Sequence, residues 1–325
     1  MGIQDNFWTI GDEAVAWGTK AATLTRGIEN KADDVTPNIE FMVSRGMRAS
    51  TVGTPTGRSV GVERGGSLTL TLDLMAKSLG LVFGGYGATV ATTTPGGATN
   101  TRLHTITPST SGVTRSSTVH AGRAPTGGTV LEHNYLGCMG TELTFSQAAK
   151  GIPEVKAAYN YKAIDTAAAS VTPSYPASPY VYTDLDCEVT LNGTTLCQRQ
   201  FDVTIPTGLD IARDRICPGG REKPLLAQRV EPTGSLSIDY AVDTYHNNYI
   251  AGDEVADLVI TWTGPLIEGS LYNSLTLTFP LIQFTGSSPK VAIDGIPEQP
   301  LPFRVLDNLT DPLWKIEYQN DDTTV

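Results

Sequence analysis

The stretch from Gly66 to Gly85 changes its hydrophobic period midway, and this change limits what the chain can fold into. Its first part alternates apolar and polar residues, which predicts a strand whose apolar face carries Leu68, Leu70, Leu72 and Leu74. Its second part has helical spacing, with apolar residues at Met75, Leu79, Val82 and Phe83. We expect Asp73 to cap this helix and Gly84-Gly85 to end it. The stretch therefore predicts a strand that leads directly into one short amphipathic helix.

A second stretch, from Gly234 to Gly252, repeats this pattern. Gly66 and Gly234 both begin a Gly-Ser-Leu sequence and are 168 residues apart (234 − 66), and the same interval separates Gly84 from Gly252. The helical part is weaker here because Asn247-Asn248 is a poor helix-forming pair. A Gly-Ser-apolar sequence can recur by chance in β proteins, but the shared interval favours an internal duplication.

The composition favours many short strands joined by turns. Only 18% of the 325 residues are charged, the chain has 33 glycines and 20 prolines, and threonine and serine are abundant. Apolar and polar residues alternate within several further stretches, and strands are predicted at 130–135, 141–146, 155–164, 201–205, 236–240, 258–263 and 271–284. We expect the aromatic residues on these strands to lie in the core, namely Tyr159, Tyr161, Trp262 and Phe279. The predicted fold class is mainly β.

The predicted organisation has two units joined by a linker. Residues 1–165 form the first unit, residues 166–180 form the linker, and residues 181–325 form the second unit. Within the first unit, residues 87–128 are almost all Gly, Ala, Thr, Ser and Pro, with a short strand possible at 103–106. We predict that this region is a long surface loop that contacts a neighbouring molecule rather than a substrate.

The net charge of −11 argues against a generic duplex-DNA binder, because such a protein needs a basic face to displace counterions. The N-terminal sequence has no basic region followed by an apolar one, and no stretch of eighteen apolar residues occurs. We therefore expect neither a signal peptide nor a membrane span. The protein would be made in a cytoplasm and would stay there or leave by a route other than secretion.

The four cysteines, Cys138, Cys187, Cys197 and Cys217, include no C-x-x-C pair, and we interpret them as free thiols. Cys187 and Cys197 flank a predicted hairpin around Asn192-Gly193. A two-residue turn would place these two thiols on opposite faces, whereas a three-residue bulged turn would place both on one face. Whether they pair stays open at this point.

The sequence offers no catalytic, cofactor-binding or metal-binding constellation. Asp184, Asp186 and Glu188 lie on one face of a predicted strand, as glycosidase carboxylates can, but an ion pair between Asp186 and Arg199 across the hairpin is the simpler interpretation. The four histidines are far apart in sequence. His104 and His120 fall in or beside the long loop and are expected to be solvated, and His133 and His246 are expected to be ordinary polar positions.

Three features of the chain are informative together. The lead-in from Asp12 to Thr19 reads DEAVAWGT, and the strand and helix between Gly66 and Gly84 follow it. The closing run is LYNSLTLTFPLIQFTGSSPKV…GIPEQPLPFRVLDN…PLWKIEYQND, from Leu271 to Asp321. These features resemble the E-x-x-x-G-T opening, the strand-helix element and the final strands of the tail tube (major tail) proteins of long-tailed, non-contractile bacteriophages. The resemblance covers most of the chain and is weak at 87–128 and 165–180.

The resemblance implies a virion structural protein. Its units would be two tandem β-sandwich or half-barrel tail-tube units, each with one short α-helix, and their inner sheets would join into a ring-shaped barrel on oligomerisation, which removes exposed strand edges. Stacked rings would form the hollow tail tube that conducts the genome from capsid to host. The location would be the virion tail, with assembly in the host cytoplasm.

The resemblance also implies the partners. These are the chain itself, the tape-measure protein, the tail-tip and terminator proteins, and genomic DNA that passes through the lumen without specific binding; no membrane and no cofactor is implied. If both units are tube units, three chains mimic a six-fold ring, so we predict a homotrimer with pseudo-six-fold symmetry. A true hexamer is the alternative. Asp73 and Asp239 are the candidates for an exposed, lumen-lining face.

Two other classes of function remain open. A virion-surface binding module, either an adhesin or a carbohydrate-binding β-sandwich, would need a cluster of exposed aromatic residues beside a groove. A hydrolase of an unfamiliar β class would use Asp184 or Asp186 with Glu188. We expect that the protein is not an enzyme, because a catalytic motif is absent from the sequence.

Overall fold

The computed structural model describes residues 6–13, 16–46, 52–61, 65–87, 89–125, 128–177, 179–216, 221–286, 288–289 and 296–323. It is mainly β, with 52% of the residues in strands and 6% in helices. The predicted fold class is therefore confirmed.

The elements fall into two consecutive sets. The first set is β1 (Phe7–Asp12), β2 (Arg26–Ile28), β3 (Asn30–Pro37), β4 (Phe41–Val43), β5 (Ser59–Gly61), β6 (Gly66–Asp73), α1 (Gly80–Gly84), β7 (Thr89–Thr93), β8 (Arg102–Thr107), β9 (Ser117–Arg123), β10 (Leu131–Ala148), β11 (Glu154–Tyr161) and β12 (Ala163–Asp165). The second set is β13 (Cys187–Leu191), β14 (Thr194–Thr195), β15 (Gln198–Pro206), β16 (Leu209–Asp210), β17 (Leu225–Leu226), β18 (Thr233–Asp239), α2 (Thr244–Ala251), β19 (Glu254–Glu268), β20 (Leu271–Phe284), β21 (Glu298–Val305) and β22 (Lys315–Asn320).

Three antiparallel sheets form the body of the fold. The central sheet has the order β3-β6-β11-β10-β15-β18-β21. The first flanking sheet is β2-β1-β9-β10-β12, and the second flanking sheet is β7-β8-β22-β20-β19-β13-β14. β20 also reaches β21 at the end of the central sheet. The pairings among the described strands form no closed cycle, so the sheets are open.

The long strand β10 belongs to two sheets because it bends near its middle. Its first part pairs with β9 and β12, and its last part pairs with β11 and β15. Gly137 lies between these parts with a φ of 68°, a left-handed conformation that glycine adopts without strain. The sequence predicted two strands, at 130–135 and 141–146, where the structure has one bent strand.

One pattern of elements and pairings occurs twice along the chain. Seven strand pairings of the first set have a counterpart in the second set. They are β1–β2 with β13–β14, β1–β9 with β13–β19, β9–β10 with β19–β20, β10–β11 with β20–β21, β10–β12 with β20–β22, β3–β6 with β15–β18, and β6–β11 with β18–β21. The helices α1 and α2 follow the counterpart strands β6 and β18. β3 and β15 begin 168 residues apart (198 − 30), the interval that separates Gly66 from Gly234.

The two sets differ in one inserted hairpin and are joined in two sheets. β7 and β8 lie between α1 and β9, whereas only two residues separate α2 from β19. β8 pairs with β22 of the second set, and β10 pairs with β15 of the second set. The two sets are therefore joined by backbone hydrogen bonds in two different sheets.

The core lies between the central sheet and the two flanking sheets. Trp262 of β19 is fully buried, and its ring centroid lies 6.3 Å from that of Phe145 in β10 and 5.8 Å from that of Phe201 in β15. Its indole Nε1 donates to Oε1 of Gln147 over 2.8 Å. Tyr159, Tyr161 and Phe279 are also at most 1% exposed, so the four aromatic residues predicted for the core are confirmed there.

The structure corrects the predicted start of the first helix. α1 begins only at Gly80, and its N-cap residue Leu79 makes no side-chain cap hydrogen bond. Asp73 does not cap it, because Asp73 is the last residue of β6 and its carboxylate pairs with Lys31. The apolar residues of this segment, Leu74, Met75, Ala76 and Leu79, are buried in the core as non-helical chain. The predicted end at Gly84-Gly85 is confirmed.

The region 87–128 is not a structureless loop. It contains β7, β8 and β9, which pair with strands that are distant in sequence, β22 and β1 among them. The region forms strands although it is rich in Thr, Ser and Gly, because β7 and part of β8 are held by backbone pairing and not by a buried apolar face. Whether the region contacts a neighbouring molecule stays a prediction.

Candidate functional site

The candidate site is the outward face of the central sheet, which is the face turned away from the core. Leu68, Leu70 and Leu72 of β6 point into the core, so the alternate residues of β6 point outward. The strand register extends this face over seven strands. Its side chains are Asp34, Thr69, Thr71, Asp73, Glu142, Thr144, Ser146, Glu154, Lys156, Asp202, Thr204, Ser235, Ser237, Asp239, Glu298 and Arg304.

Carboxylates outnumber cations on this outward face. The carboxylates are Asp34, Asp73, Glu142, Glu154, Asp202, Asp239 and Glu298, and the cations on the strands are Lys156 and Arg304. Lys31 and Arg199, which lie at irregularities of β3 and β15, add two more cations. The remaining positions are mainly hydroxyl residues. The face is therefore acidic and rich in Thr and Ser.

Two cations of the outward face, Lys31 and Arg199, are held by its own carboxylates, whereas Arg304 donates to Oε1 of Gln283. Lys31 Nζ lies 3.0 Å from Asp73 Oδ1 and 3.5 Å from Glu154 Oε2. The hydrogen bond to Asp73 raises the pKa of Lys31. Arg199 Nε lies 2.8 Å from Asp239 Oδ1, and the same guanidinium contacts Glu298. These exposed pairs contribute little to stability, but they neutralise the positive charges that could hold a polyanion.

Two carboxylates near the middle of the outward face, Glu142 and Asp202, form no ion pair with a described residue, and the nearest cation by register is Lys156, opposite Thr144 and 3.5 Å from Glu154. Glu142 and Asp202 lie on the neighbouring strands β10 and β15. Between them, Thr144 Oγ1 lies 3.1 Å from Thr204 Oγ1, so the hydroxyls bond to each other. Burial raises the pKa of Asp202. A phosphate backbone beside this region would meet carboxylates and self-satisfied hydroxyls.

The two residues predicted for an exposed face, Asp73 and Asp239, both lie on the outward face. Their side chains are 29% and 52% exposed. Register places them at the same end of the sheet, opposite Glu154 and Glu298 respectively. Sequence reasoning did not identify Glu142 and Asp202 as members of this face, because only the pairing of β10 with β15 brings them together.

Two hairpins extend from the opposite end of the central sheet. The β4–β5 hairpin lies between β3 and β6, and the β16–β17 hairpin lies between the counterpart strands β15 and β18. The β4–β5 hairpin is apolar and exposed: Phe41 is 64%, Met42 59%, Val43 45% and Val60 56% exposed. Exposed apolar surface on this scale marks a contact with another molecule.

A hydrogen-bond network around the partly buried Glu13 fixes the lead-in segment. Glu13 Oε1 accepts hydrogen bonds from the N–H of Gly137 at 2.7 Å and from Thr118 Oγ1 at 2.9 Å. Glu13 Oε2 accepts from the N–H of Gly18 at 2.9 Å and from Ser116 Oγ at 2.8 Å. One carboxylate thus ties the end of β1 to β9 and to the bend of β10. The sequence showed Glu13 only as part of a family-like opening.

The histidines in the predicted long loop are buried, so their predicted solvation is wrong. His104 and His120 are both 0% exposed. His104 Nδ1 lies 2.9 Å from Thr92 Oγ1, and burial lowers the pKa of His104. His120 Nδ1 lies 2.8 Å from Asn134 Oδ1. Both are buried because the strands that carry them, β8 and β9, are interior strands of their sheets.

The carboxylates weighed for hydrolysis serve local structure. Asp186 Oδ2 accepts hydrogen bonds from the N–H and the hydroxyl of Thr183, and Asp184 Oδ2 accepts from the N–H of Lys150. The predicted ion pair between Asp186 and Arg199 is wrong, because Arg199 pairs with two acids on the outward face.

The hairpin that carries two of the cysteines has the two-residue turn. Leu191 lies opposite Thr194, and Asn192 and Gly193 have positive φ values of 50° and 71°. Cys187 and Cys197 are free thiols, as is the buried Cys138, and burial raises the pKa of Cys187 to about 12. Cys217 lies outside the described residues.

The residues that the structure describes contain no metal-binding cluster and no membrane-spanning helix. No group of three or more His, Cys, Asp or Glu side chains in them is placed to hold a metal ion. None of their helices is long and apolar enough to cross a membrane. Exposed aromatic side chains occur at Phe41, Tyr175 and Tyr272, on three separate segments.

The chain matches a known protein family. A family model described as phage tail tube protein matches residues 4–305 of the chain. No curated protein matches the chain. The matched residues include the lead-in, both helices and the whole central sheet.

Proposed function

The chain belongs to the phage tail tube protein family, and from this premise we propose that it polymerises as stacked rings into the hollow tube that conducts the genome from capsid to host. A member of this family is a structural protein of the virion tail that assembles with copies of itself. The acidic outward face of the central sheet is the observation that carries the proposal, and this face lines the lumen of the tube.

A lumen wall of this kind lets DNA pass. Duplex DNA binds proteins chiefly by exchanging its counterions for Lys and Arg. On the outward face, Lys31 and Arg199 are already engaged by carboxylates. Like charge from Glu142 and Asp202 keeps phosphates away from the middle of the wall. DNA therefore slides without specific binding.

Ring closure follows from the edges of the central sheet. Inside one chain, β10 of the first set pairs with β15 of the second. The counterparts of these strands are β20 and β3, and β3 is an edge strand of the central sheet. Pairing of β20 in one chain with β3 in the next chain would repeat the β10–β15 pairing that joins the two sets within a chain. The central sheets of the ring would then have no unpaired edge strand.

The doubled pattern of pairings supports two tube units per chain, residues 1–165 and 181–325, joined by 166–180. Three chains then give a homotrimeric ring with pseudo-six-fold symmetry, and a hexamer is the alternative. The exposed β4–β5 hairpin is suited to contact the next ring, because Phe41, Met42 and Val60 would be buried there. The tape-measure protein in the lumen and the tip and terminator proteins at the ends complete the proposed partners, and assembly takes place in the host cytoplasm.

Electron microscopy tests the assembly. The full chain at high concentration should form hollow rings or tubes, and end-on averages should show six lobes with a three-fold modulation. Six identical lobes would exclude the trimer. Solid particles or monomers at all concentrations would contradict a tube.

A charge reversal tests the lumen wall. Assembled tubes of Asp202→Lys should retain duplex DNA at a salt concentration that releases it from wild-type tubes. The control is Glu317→Lys, on β22 in the second flanking sheet, where a neighbouring lysine already lies. Equal DNA retention by both variants would mean that the outward face does not line the lumen.

A further inference from the structure

The two helices hold counterpart positions but have different surroundings. α1 follows β6 and α2 follows β18, and Gly84 at the end of α1 and Gly252 just after α2 are 168 residues apart. Val82 and Phe83 of α1 are 0% exposed. By contrast, Ile250 of α2 is 70% exposed, and Val242 just before α2 is 52% exposed. Within a single chain, α1 is covered by other parts of the protein, whereas the corresponding side of α2 is left exposed.

β1 and β8 of the first set pack against α1. β22, the last strand of the second set, and the residues that follow it add a further cover over Phe83 and over the segment that precedes α1. The ring of Tyr318 packs edge-on against Phe83 with centroids 5.4 Å apart, and its hydroxyl donates to the carbonyl of Met75 over 3.0 Å. Asn320 Nδ2 donates to the carbonyl of Ala76 over 3.1 Å. Asp322 Oδ2 then accepts from the N–H of Ser78 over 2.8 Å. The second set thus closes over the helix segment of the first.

The counterpart of β22 is β12. Both strands pair with the long strand of their set, β20 and β10 respectively. β12 and the residues after it read AIDTAAAS, from Ala163 to Ser170. Ile164 in the middle of β12 and Ala168 are partly exposed, and Ala167 is exposed. This segment has the small, apolar surface that the exposed side of α2 would accept.

We propose that α2 is the docking surface for the β12 segment of a second copy of this chain. Residues 163–168 of the neighbour cover Val242 and Ile250, as residues 318–322 cover α1 within one chain. This inference rests on the proposed ring assembly, and it adds a lateral contact outside the lumen wall. Every helix in the ring is then covered by the closing strand of the unit beside it, alternately from its own chain and from the next.

Two exposed residues give a test that spares the folded chain. Ile250→Asp should leave the far-ultraviolet circular dichroism and the thermal unfolding of the monomer unchanged, because Ile250 is largely exposed. It should raise the concentration needed for ring or tube assembly about tenfold or more, the ratio expected when one isoleucine side chain loses its burial. The matched control is Leu309→Asp at a residue that is 90% exposed and outside the proposed surface, and it should assemble as wild type does.

Mixed-chain cross-linking tests the identity of the partner. Ile250→Cys and Ala167→Cys chains, assembled together and oxidised, should give a covalent dimer that neither variant gives alone, and oxidised wild type controls for the native cysteines. Tubes in which Ile250→Asp assembles normally and the mixed chains do not cross-link would overturn this inference while leaving the tube itself intact. Wild-type chains that never assemble would overturn both.

Discussion

Replacing Glu13 with glutamine tests whether one carboxylate holds the lead-in segment on the fold. Each oxygen of Glu13 accepts two hydrogen bonds, one from a backbone N–H and one from a hydroxyl, at 2.7–2.9 Å. Glutamine keeps one oxygen and turns an NH2 group toward the other pair of donors. Two charge-assisted bonds are lost at about 1.5 kcal/mol each, the low end for a site that is partly exposed, which gives about 3 kcal/mol.

This loss should be visible in thermal unfolding. The unfolding entropy of a chain of 325 residues is about 0.7 kcal/mol per kelvin, so the midpoint should fall by about 4 °C. The control is Asp12→Asn, one residue away, whose carboxylate forms an exposed pair with Arg115 at 3.0 Å and should cost at most about 1 kcal/mol. If both variants unfold at the same temperature, the four hydrogen bonds do not contribute as argued.

Three further predictions concern other contacts. Trp262→Phe should lower the free energy of unfolding by about 2–3 kcal/mol in urea titrations, because Gln147 loses its buried indole donor and part of the ring volume is lost; no loss would contradict the packing of the core. Tyr318→Phe should cost about 1–2 kcal/mol, since the carbonyl of Met75 loses its buried donor, and a neutral result would mean that this bond adds nothing. Hydrogen bonds from the Thr101 N–H and hydroxyl, with two further N–H groups, lower the pKa of Glu268 from 4.5 to about 2. The contribution of Glu268 to stability is therefore complete above pH 4.5 and is lost as the pH falls toward 2. Hydrogen-exchange protection at 99–101, corrected for intrinsic rates, should fall over that window in wild type and stay flat in Glu268→Gln.

Strands were predictable where alternation alone decides which side chains are buried. The predicted strand 271–284 is β20 with the same bounds, because its leucines and phenylalanines alternate with threonines over two full faces. The two-residue turn at Asn192-Gly193 was likewise visible, since both residues tolerate positive φ. These features depend on neighbours a few residues away.

Elements that depend on distant partners were not predictable. The spacing of Met75 and Leu79 looks helical, yet both residues lie in non-helical chain and are buried. Tyr318, on a strand about 240 residues away, donates a hydrogen bond to the carbonyl of Met75. α2 looked weak but has eight residues, ended by Gly252 in the left-handed conformation. His104 and His120 looked solvated because the strands that enclose them come from other parts of the chain.

The sequence predicted an acidic, exposed face, but it did not predict which residues form that face. Alternation showed that Asp73 and Asp239 point away from an apolar face, and the net charge suggested an acidic surface. The order β10-β15-β18 in the central sheet decides that Glu142, Asp202 and Ser235 share one face. Strand order arises from pairing over long sequence distances, which leaves no periodic signal in the sequence.

The inserted hairpin β7–β8 has a practical meaning for anyone who wishes to display a peptide on this protein. It occupies a connection that in the second set is only Gly252 and Asp253, both exposed. The chain therefore already tolerates more than thirty added residues at one of two counterpart positions. A cargo sequence placed at 252–253 would lie in the connection that corresponds to the β7–β8 insertion site of the first set, where the inserted residues leave the surrounding sheets intact. The cargo would be displayed once in each subunit.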